Sequence, residues 1–230
     1  MVILFAVIFG LLPSFVWLIF FLKEDIHPEP KKMIARIFLD GALIALAAVV
    51  FQFFLREFFE YLKISHYGIF SFFVFGASEE ILKFLVVYLA VYKNKFFDEP
   101  IDAMMYMVTA ALGFAALENI FVVFGNFAGQ HLELAEVLGI VTFRFAGATL
   151  LHVLSSAIIG YYWAKGLTRE TMKLANRRTI FYGFVIASLL HGIFNYSILI
   201  FSPILIFPTM LLIIVALFIF WDFEKIKSNY

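Results

Sequence analysis

Cysteine is absent from this 230-residue sequence, which excludes disulfides, cysteine nucleophiles and thiolate metal sites. Charge is scarce: Asp, Glu, Lys and Arg make up 15% of the residues, against about 25% in an ordinary globular domain. Seventeen basic and seventeen acidic residues cancel to a formal net charge of zero, so no basic surface stands ready to draw in nucleic acid through its phosphates. Proline, glycine and low-complexity tracts are also sparse, with 6 Pro and 13 Gly, and no internal repeat divides the chain. What fills the sequence is apolar, at 64% hydrophobic residues including 32 Phe. A soluble domain carries roughly 45–50%, so the composition points to a chain that lives in a lipid bilayer.

The few charges partition the chain into apolar runs near the roughly 20 residues that a helix needs to cross the hydrocarbon core. Seven such spans are predicted, at residues 2–22, 33–55, 69–92, 101–124, 137–164, 180–201 and 204–221. The fold expected is therefore an all-α, polytopic bundle forming one integral membrane domain over residues 1–230. Ser202-Pro203 alone divides the last two spans, and Pro13 is expected to kink the first. The first span has no basic residue before Lys23 and reads as a membrane helix rather than a cleaved signal. Basic residues are retained on the cytoplasmic side. One set of alternate loops holds Lys23, Lys31, Lys32, Arg36, Lys93, Lys95, Lys165, Arg169, Lys173, Arg177, Arg178, Lys225 and Lys227; the other holds Arg56 and Lys63. The N-terminus is thus expected outside and the C-terminus in the cytoplasm.

Lys83 and Arg144 fall in no loop, and an ionisable group at membrane depth costs at least about 2.5–3.5 kcal/mol unless it faces a protein interior or a wet cavity. They are not alone. Glu79 and Glu80 share the third span with Lys83; Glu118 and Asn119 lie in the fourth, Arg144 and His152 in the fifth, His191 and Asn195 in the sixth. Counting about 1.5 Å per residue from the outer span ends places Glu79 and His191 about 15 Å deep, Glu118 and Asn195 about 9 Å, and His152 about 20 Å. One cluster at or outside the midplane is compatible with those depths. Within a helix, Lys83 can pair with Glu79 at i,i+4 or with Glu80 at i,i+3, and His191 and Asn195 share a face. Three carboxylates against Lys83 and Arg144 leave one excess negative charge when the histidines are neutral, which one shared proton cancels.

The order of these residues resembles a known family. Glu79-Glu80-Ile81-Leu82-Lys83 reads EExxK, Phe114 to Glu118 reads FxxxE, His152 stands alone in the next span, and His191 to Asn195 reads HxxxN. This ordered set is similar to that of the PrsW family of intramembrane proteases, distant relatives of the CAAX-processing prenyl endopeptidases and the CPBP proteins. In the CAAX branch the second motif is FxxxH, so Glu118 departs from it and favours the PrsW side. The resemblance covers residues 75–197, with the catalytic core drawn at 69–201.

The resemblance implies a glutamate-dependent, metal-free endopeptidase without a cofactor, in the cell membrane of a prokaryote. Its substrate would be a membrane-embedded or membrane-anchored protein such as a single-span anti-sigma factor, cut on the outer side. Glu79 would activate water, Glu80 would support the architecture or share a proton, and His191 and Asn195 would stabilise the oxyanion. Glu118 would stand where the CAAX branch orients the water with a histidine. His152 is the remaining member of the expected site. Arg144 is expected to be a structural partner of Glu118 or of a carbonyl, and Lys83 an ion-pair partner.

Other chemistries fit less well. There is no HExxH, no GxGD and no GxSxG around Ser78. Zinc held by Glu118, His152 and His191 would require three separate helices to converge closely, and is not expected. Asp40 and Asp102 are read as unpaired with each other, Asp102 as a helix cap, and His27, His66 and His131 as solvated. A transporter or proton channel remains the alternative, but it would string charges across the membrane and often show two related halves. A retinal protein would carry a lysine in the last span, which residues 204–220 lack. A scaffold that keeps the residues but cleaves nothing also stays open.

Overall fold

The computed structural model describes residues 2–25, 27–129, 134–167, 176–201 and 206–227. His131, Arg169, Lys173 and the Ser202-Pro203 divider lie outside the described residues. Among the described residues all regular structure is helical, as lipid demands of a chain whose backbone must satisfy its own hydrogen bonds. The helices are α1 (Val2–Leu22), α2 (Lys31–Tyr61), α3 (Ile69–Val91), α4 (Pro100–Gly129), α5 (Leu134–Phe143), α6 (Leu150–Gly166), α7 (Arg177–Phe201) and α8 (Ile206–Lys227). Between α5 and α6 the chain stays helical through a π segment, Arg144–Thr149, so α5, the π segment and α6 form one rod.

Among the described residues seven rods therefore stand where seven spans were predicted. Six are long and apolar enough to cross a membrane, with α5 and α6 counted together. The other is α3, whose 23 residues contain Glu79, Glu80 and Lys83. Several rods outrun their apolar cores: α2 has 31 residues and reaches Tyr61 rather than Leu55. Helices run on into polar flanks because water satisfies the terminal groups there.

α4 is the centre of the bundle. Two thirds of its apolar window (67%) is buried, against 28% for α1, α2 and α8, and it packs on α1, α2 and α6. Its buried run from Ala103 to Ala116 is rich in alanine, the small side chain that lets helix backbones approach where lipid offers no hydrophobic drive. The outer rods keep apolar faces toward the surroundings, such as Leu39, Leu43, Leu46 and Val50 on α2 and Ile213, Leu217 and Trp221 on α8.

One close approach positions the site. α3 and α7 pack together, and a Cβ added to Gly192 would sit 2.8 Å from the Phe73 Cα, while one on Gly76 would sit 3.0 Å from the His191 Cβ. Both glycines are needed to seat His191 directly over the α3 turn that bears Glu79 and Glu80.

Candidate active site

Glu79 and Glu80 are neighbours in sequence, but successive helical residues point about 100° apart, and their surroundings differ accordingly. The Glu80 side chain is wholly buried, at 0% exposure. Oε1 lies 2.5 Å from Lys83 Nζ, 2.9 Å from His191 Nδ1 and 3.0 Å from Ser155 Oγ, and Oε2 accepts from Ser156 Oγ at 2.8 Å. Both of its oxygens are engaged. Lys83 is equally buried; its ammonium also lies 3.1 Å from His152 Nδ1 and 5.0 Å from the Phe114 ring centre.

Glu79 is tied by one oxygen only. Gln52 Nε2 donates to its Oε1 at 2.7 Å. Its Oε2 is buried and has no hydrogen-bond partner among the described residues. His191 Nε2 lies 3.4 Å from it, not aligned for a hydrogen bond, and His152 Nδ1 lies 3.8 Å from it. A small cavity of about 60 Å³ touches Glu79 and Glu118, with Ala45, Ala48 and Gln52 of α2 and Phe114 of α4 in its wall. A water needs roughly 10–15 Å³ by this kind of measure, so the cavity is roomy enough for water and too small for a peptide.

Glu118 faces the same cavity from α4 and is the most open of the three carboxylates, at 40% exposure. Its Oε2 is held by Arg144 Nη2 at 2.7 Å and by His152 Nε2 at 2.8 Å. Arg144 Nε donates to Asn119 Oδ1, and Asn119 Nδ2 donates onward to Thr149 Oγ1 at 3.0 Å. Arg144 and Thr149 bound the π segment, so the irregular turn delivers both side chains to α4. Trp17 Nε1 donates to the Phe145 carbonyl within that turn at 3.0 Å. Single-turn π insertions in α-helices occur frequently at functional sites. The tautomer of His152 follows from its partners: an ammonium can only donate, so Nδ1 accepts and Nε2–H donates to Glu118.

The structure thus brings Glu79, Glu80, Lys83, Glu118, Arg144, His152 and His191 into one network, and Arg144 pairs with Glu118. Asn195 is half-buried and makes no hydrogen bond to another described residue. Sequence reasoning missed Gln52, Ser155 and Ser156. Gln52 had a signal, as the one polar side chain between Asp40 and Arg56; the serines follow His152 by three and four residues but look like any small helix-packing residues.

The metal question takes a different form from the one the sequence posed. The converging donors are Glu79, His152 and His191, whose ligand atoms lie within 4.8 Å of one another. Glu118 instead stands behind His152, on its other ring nitrogen. Separate helices do converge here, and each histidine's far nitrogen faces a carboxylate, as is usual for metal-bound imidazoles. By distance the set fits a divalent ion. By charge it fits poorly, because the His152 nitrogen that faces Glu79 is 3.1 Å from an ammonium that is wholly buried from bulk solvent, where like charges repel more strongly than in water.

A second carboxylate group, Glu29, Asp98 and Asp102, lies at the start of α4, about 24 Å along the helix from Glu118. Asp102 accepts the backbone N–H groups of Asp98 and Glu99 at 3.0 and 2.8 Å and Tyr106 donates to Glu29, so Asp102 caps α4. Asp40 pairs with Arg36 at 3.5 Å. His27 pairs with Glu99 at 2.9 Å and is 70% exposed; His66, 3.9 Å from Glu60, is less open at 31%.

Against known proteins, residues 29–221 match the family described as "PrsW family intramembrane metalloprotease". The chain is 27% identical to Protease PrsW of Oceanobacillus iheyensis over 220 residues, covering 96% of this chain and 95% of the relative. It is 31% identical over 183 residues to Protease PrsW of Geobacillus kaustophilus, covering 78% and 73%, and 29% identical over 181 residues to that of Bacillus subtilis, covering 77% and 74%. No solved structure matches the chain. With the family match extending over most of its length and its polar residues gathered at the bundle's heart, the chain belongs to the PrsW family of intramembrane proteases.

Proposed function

We propose that this membrane protease is an endopeptidase of a bacterial cell membrane that cuts a membrane-embedded or membrane-anchored protein with water activated by Glu79, without a metal. The observation that carries the reading is Glu79, a carboxylate that borders a cavity large enough for water and whose Oε2 has no hydrogen-bond partner among the described residues. Of the three carboxylates, Glu79 alone lacks a lysine or arginine partner among the described residues. A carboxylate without a fixed cation keeps its capacity to take a proton.

In this mechanism the water oxygen bonds to the scissile carbonyl carbon while its proton passes to the Glu79 carboxylate. The carbonyl oxygen becomes the oxyanion, with His191 the nearest donor and Asn195 one turn further along α7. Collapse breaks the C–N bond as the proton on Glu79 moves to the leaving nitrogen. Glu118, fixed by Arg144 and His152, accepts the water's other hydrogen and orients it. Glu80 holds α3, α6 and α7 in register. His191, between Glu79 and Glu80, is where the one excess proton of the cluster is shared.

A second reading is favoured by the convergence of Glu79, His152 and His191 and by the family's metalloprotease description. These three residues would hold a divalent ion, which when bound would supply an acidified water. The Lys83 ammonium on His152 weighs against it.

The experiment for the protease reading compares membrane-protein fragments by mass spectrometry in cells that carry the wild type or Glu79→Gln. New termini that appear only with the wild type are expected; identical fragment sets would sink it. The substrate class expected is a single-span protein, such as an anti-sigma factor, cut in the outer half of the bilayer. That side depends on the orientation inferred from Lys and Arg. Because the chain has no native cysteine, single cysteines report it cleanly. Cysteine at Lys63 is expected to react with an impermeant reagent from outside and cysteine at Lys93 only after lysis; the reverse pattern would invert the topology.

A further inference from the structure

Gln52 stands outside the motifs and outside the core drawn at residues 69–201, yet among the described residues it is the α2 side chain that hydrogen-bonds to the polar network. The fifteen-residue stretch between Asp40 and Arg56 is otherwise apolar or glycine, so a carboxamide there is costly unless its hydrogen bonds are met. Its N–H donates to Glu79 Oε1 at 2.7 Å, and the residue borders the cavity that Glu118 also borders. We propose that Gln52 is a positioning residue for the hydrolysis: it holds Glu79 by Oε1 and so leaves Oε2 free of hydrogen bonds, on the side of His191 and His152. The inference rests on the reading of Glu79 as proton acceptor.

Two physical points carry it. The terminal torsion of a glutamate is broad and roughly two-fold, so a carboxylate bonded to nothing would turn freely and spend little time in one reactive orientation. Gln52 removes that freedom from α2, opposite His191 on α7. Equally, an amide orients without supplying charge. Glu80 is held by the Lys83 ammonium and Glu118 by the Arg144 guanidinium, and a cation in place of Gln52 would hold Glu79 by neutralising the group meant to accept a proton. A neutral donor fits a carboxylate that must stay both fixed and basic.

The test uses the full-length protein in lipid and a membrane-protein substrate that the wild type cleaves. Gln52→Met keeps length and apolar packing but cannot donate. Its kcat is expected to fall about 10- to 100-fold, the scale of a misplaced reacting group, with KM changed by less than about threefold because substrate binding is untouched. Gln52→Asn, one methylene short, is expected to recover part of the loss. In the Glu79→Gln background Gln52→Met should have no further effect. Wild-type kcat in Gln52→Met overturns the inference. So does a loss that appears in KM alone. If Glu79→Gln itself cleaves at the wild-type rate, the acceptor reading has failed rather than the positioning one. A measurement without substrate guards against a variant that folds poorly: the carboxylate band of Glu79, isolated by infrared difference between wild type and Glu79→Gln, is expected to shift in Gln52→Met, which cannot donate, and an unmoved band in that variant, well folded, contradicts the proposed hydrogen bond's role.

Discussion

Purified Glu79→Gln is expected to lose about 10²- to 10⁴-fold in cleavage rate, the range that a general base supplies, while its melting temperature in detergent stays close to that of the wild type. The amide preserves the shape of the side chain, and its oxygen can still accept the Gln52 N–H at the position where Oε1 accepts it now. What it cannot do is take a proton from water. No lysine or arginine is stranded by the change, since Glu79 pairs with none among the described residues, so no large stability penalty is expected. Single-turnover cleavage measured beside a melting curve separates the two quantities. A rate within about tenfold of wild type, with the fold intact, would remove Glu79 from the role of base.

The second large effect is on stability. Lys83→Met is expected to destabilise the bundle by about 3–5 kcal/mol, because removing one partner of a buried ion pair leaves the other charge uncompensated. Glu80 and Lys83 are both at 0% side-chain exposure with 2.5 Å between Nζ and Oε1, so neither can turn to solvent. The loss would be read as a fall in melting temperature and as faster proteolysis in membranes. Removing both charges, as Lys83→Met with Glu80→Gln, should recover part of the loss, since a pair replaced by neutral groups of similar volume is often tolerated. Glu79→Gln with Lys83→Met should recover none of it. A double variant of Glu80 and Lys83 no better than Lys83→Met would mean that Glu80 acts mainly through His191 and the two serines.

Span count and the gathering of the internal charges into one network were legible for one reason: in an apolar chain every internal charge is conspicuous. Lys83 and Arg144 stood out because no loop could hold them, and Glu118, His152 and His191 followed from the same logic. The roles of adjacent Glu79 and Glu80 were not legible. Which of two neighbouring side chains meets Lys83, Ser155 and Ser156 and which meets the cavity is decided by how α6 and α7 pack on α3, and helical spacing alone allowed Lys83 to pair with either. The π segment escaped for a similar reason: Arg144 to Thr149 carries no proline or other local signal for it, and the turn is matched by contacts from Trp17 and Asn119 on other helices. Gln52 was overlooked because the resemblance began only at the third span. Asn195 shows the opposite case, a residue whose motif placed it in the site and whose side chain joins none of the network's hydrogen bonds.

The central claim is that a carboxylate, with no bound ion, accepts the proton, and metal content tests it most directly. Purified wild-type protein, active on its identified substrate, would be analysed for bound transition metals and assayed after exhaustive chelation. The glutamate mechanism predicts substoichiometric metal and an unchanged rate, in keeping with the Lys83 ammonium at 3.1 Å from the nitrogen that an ion would need. One equivalent of zinc, with activity lost on its removal and restored on its return, would contradict the account and make Glu79, His152 and His191 metal ligands.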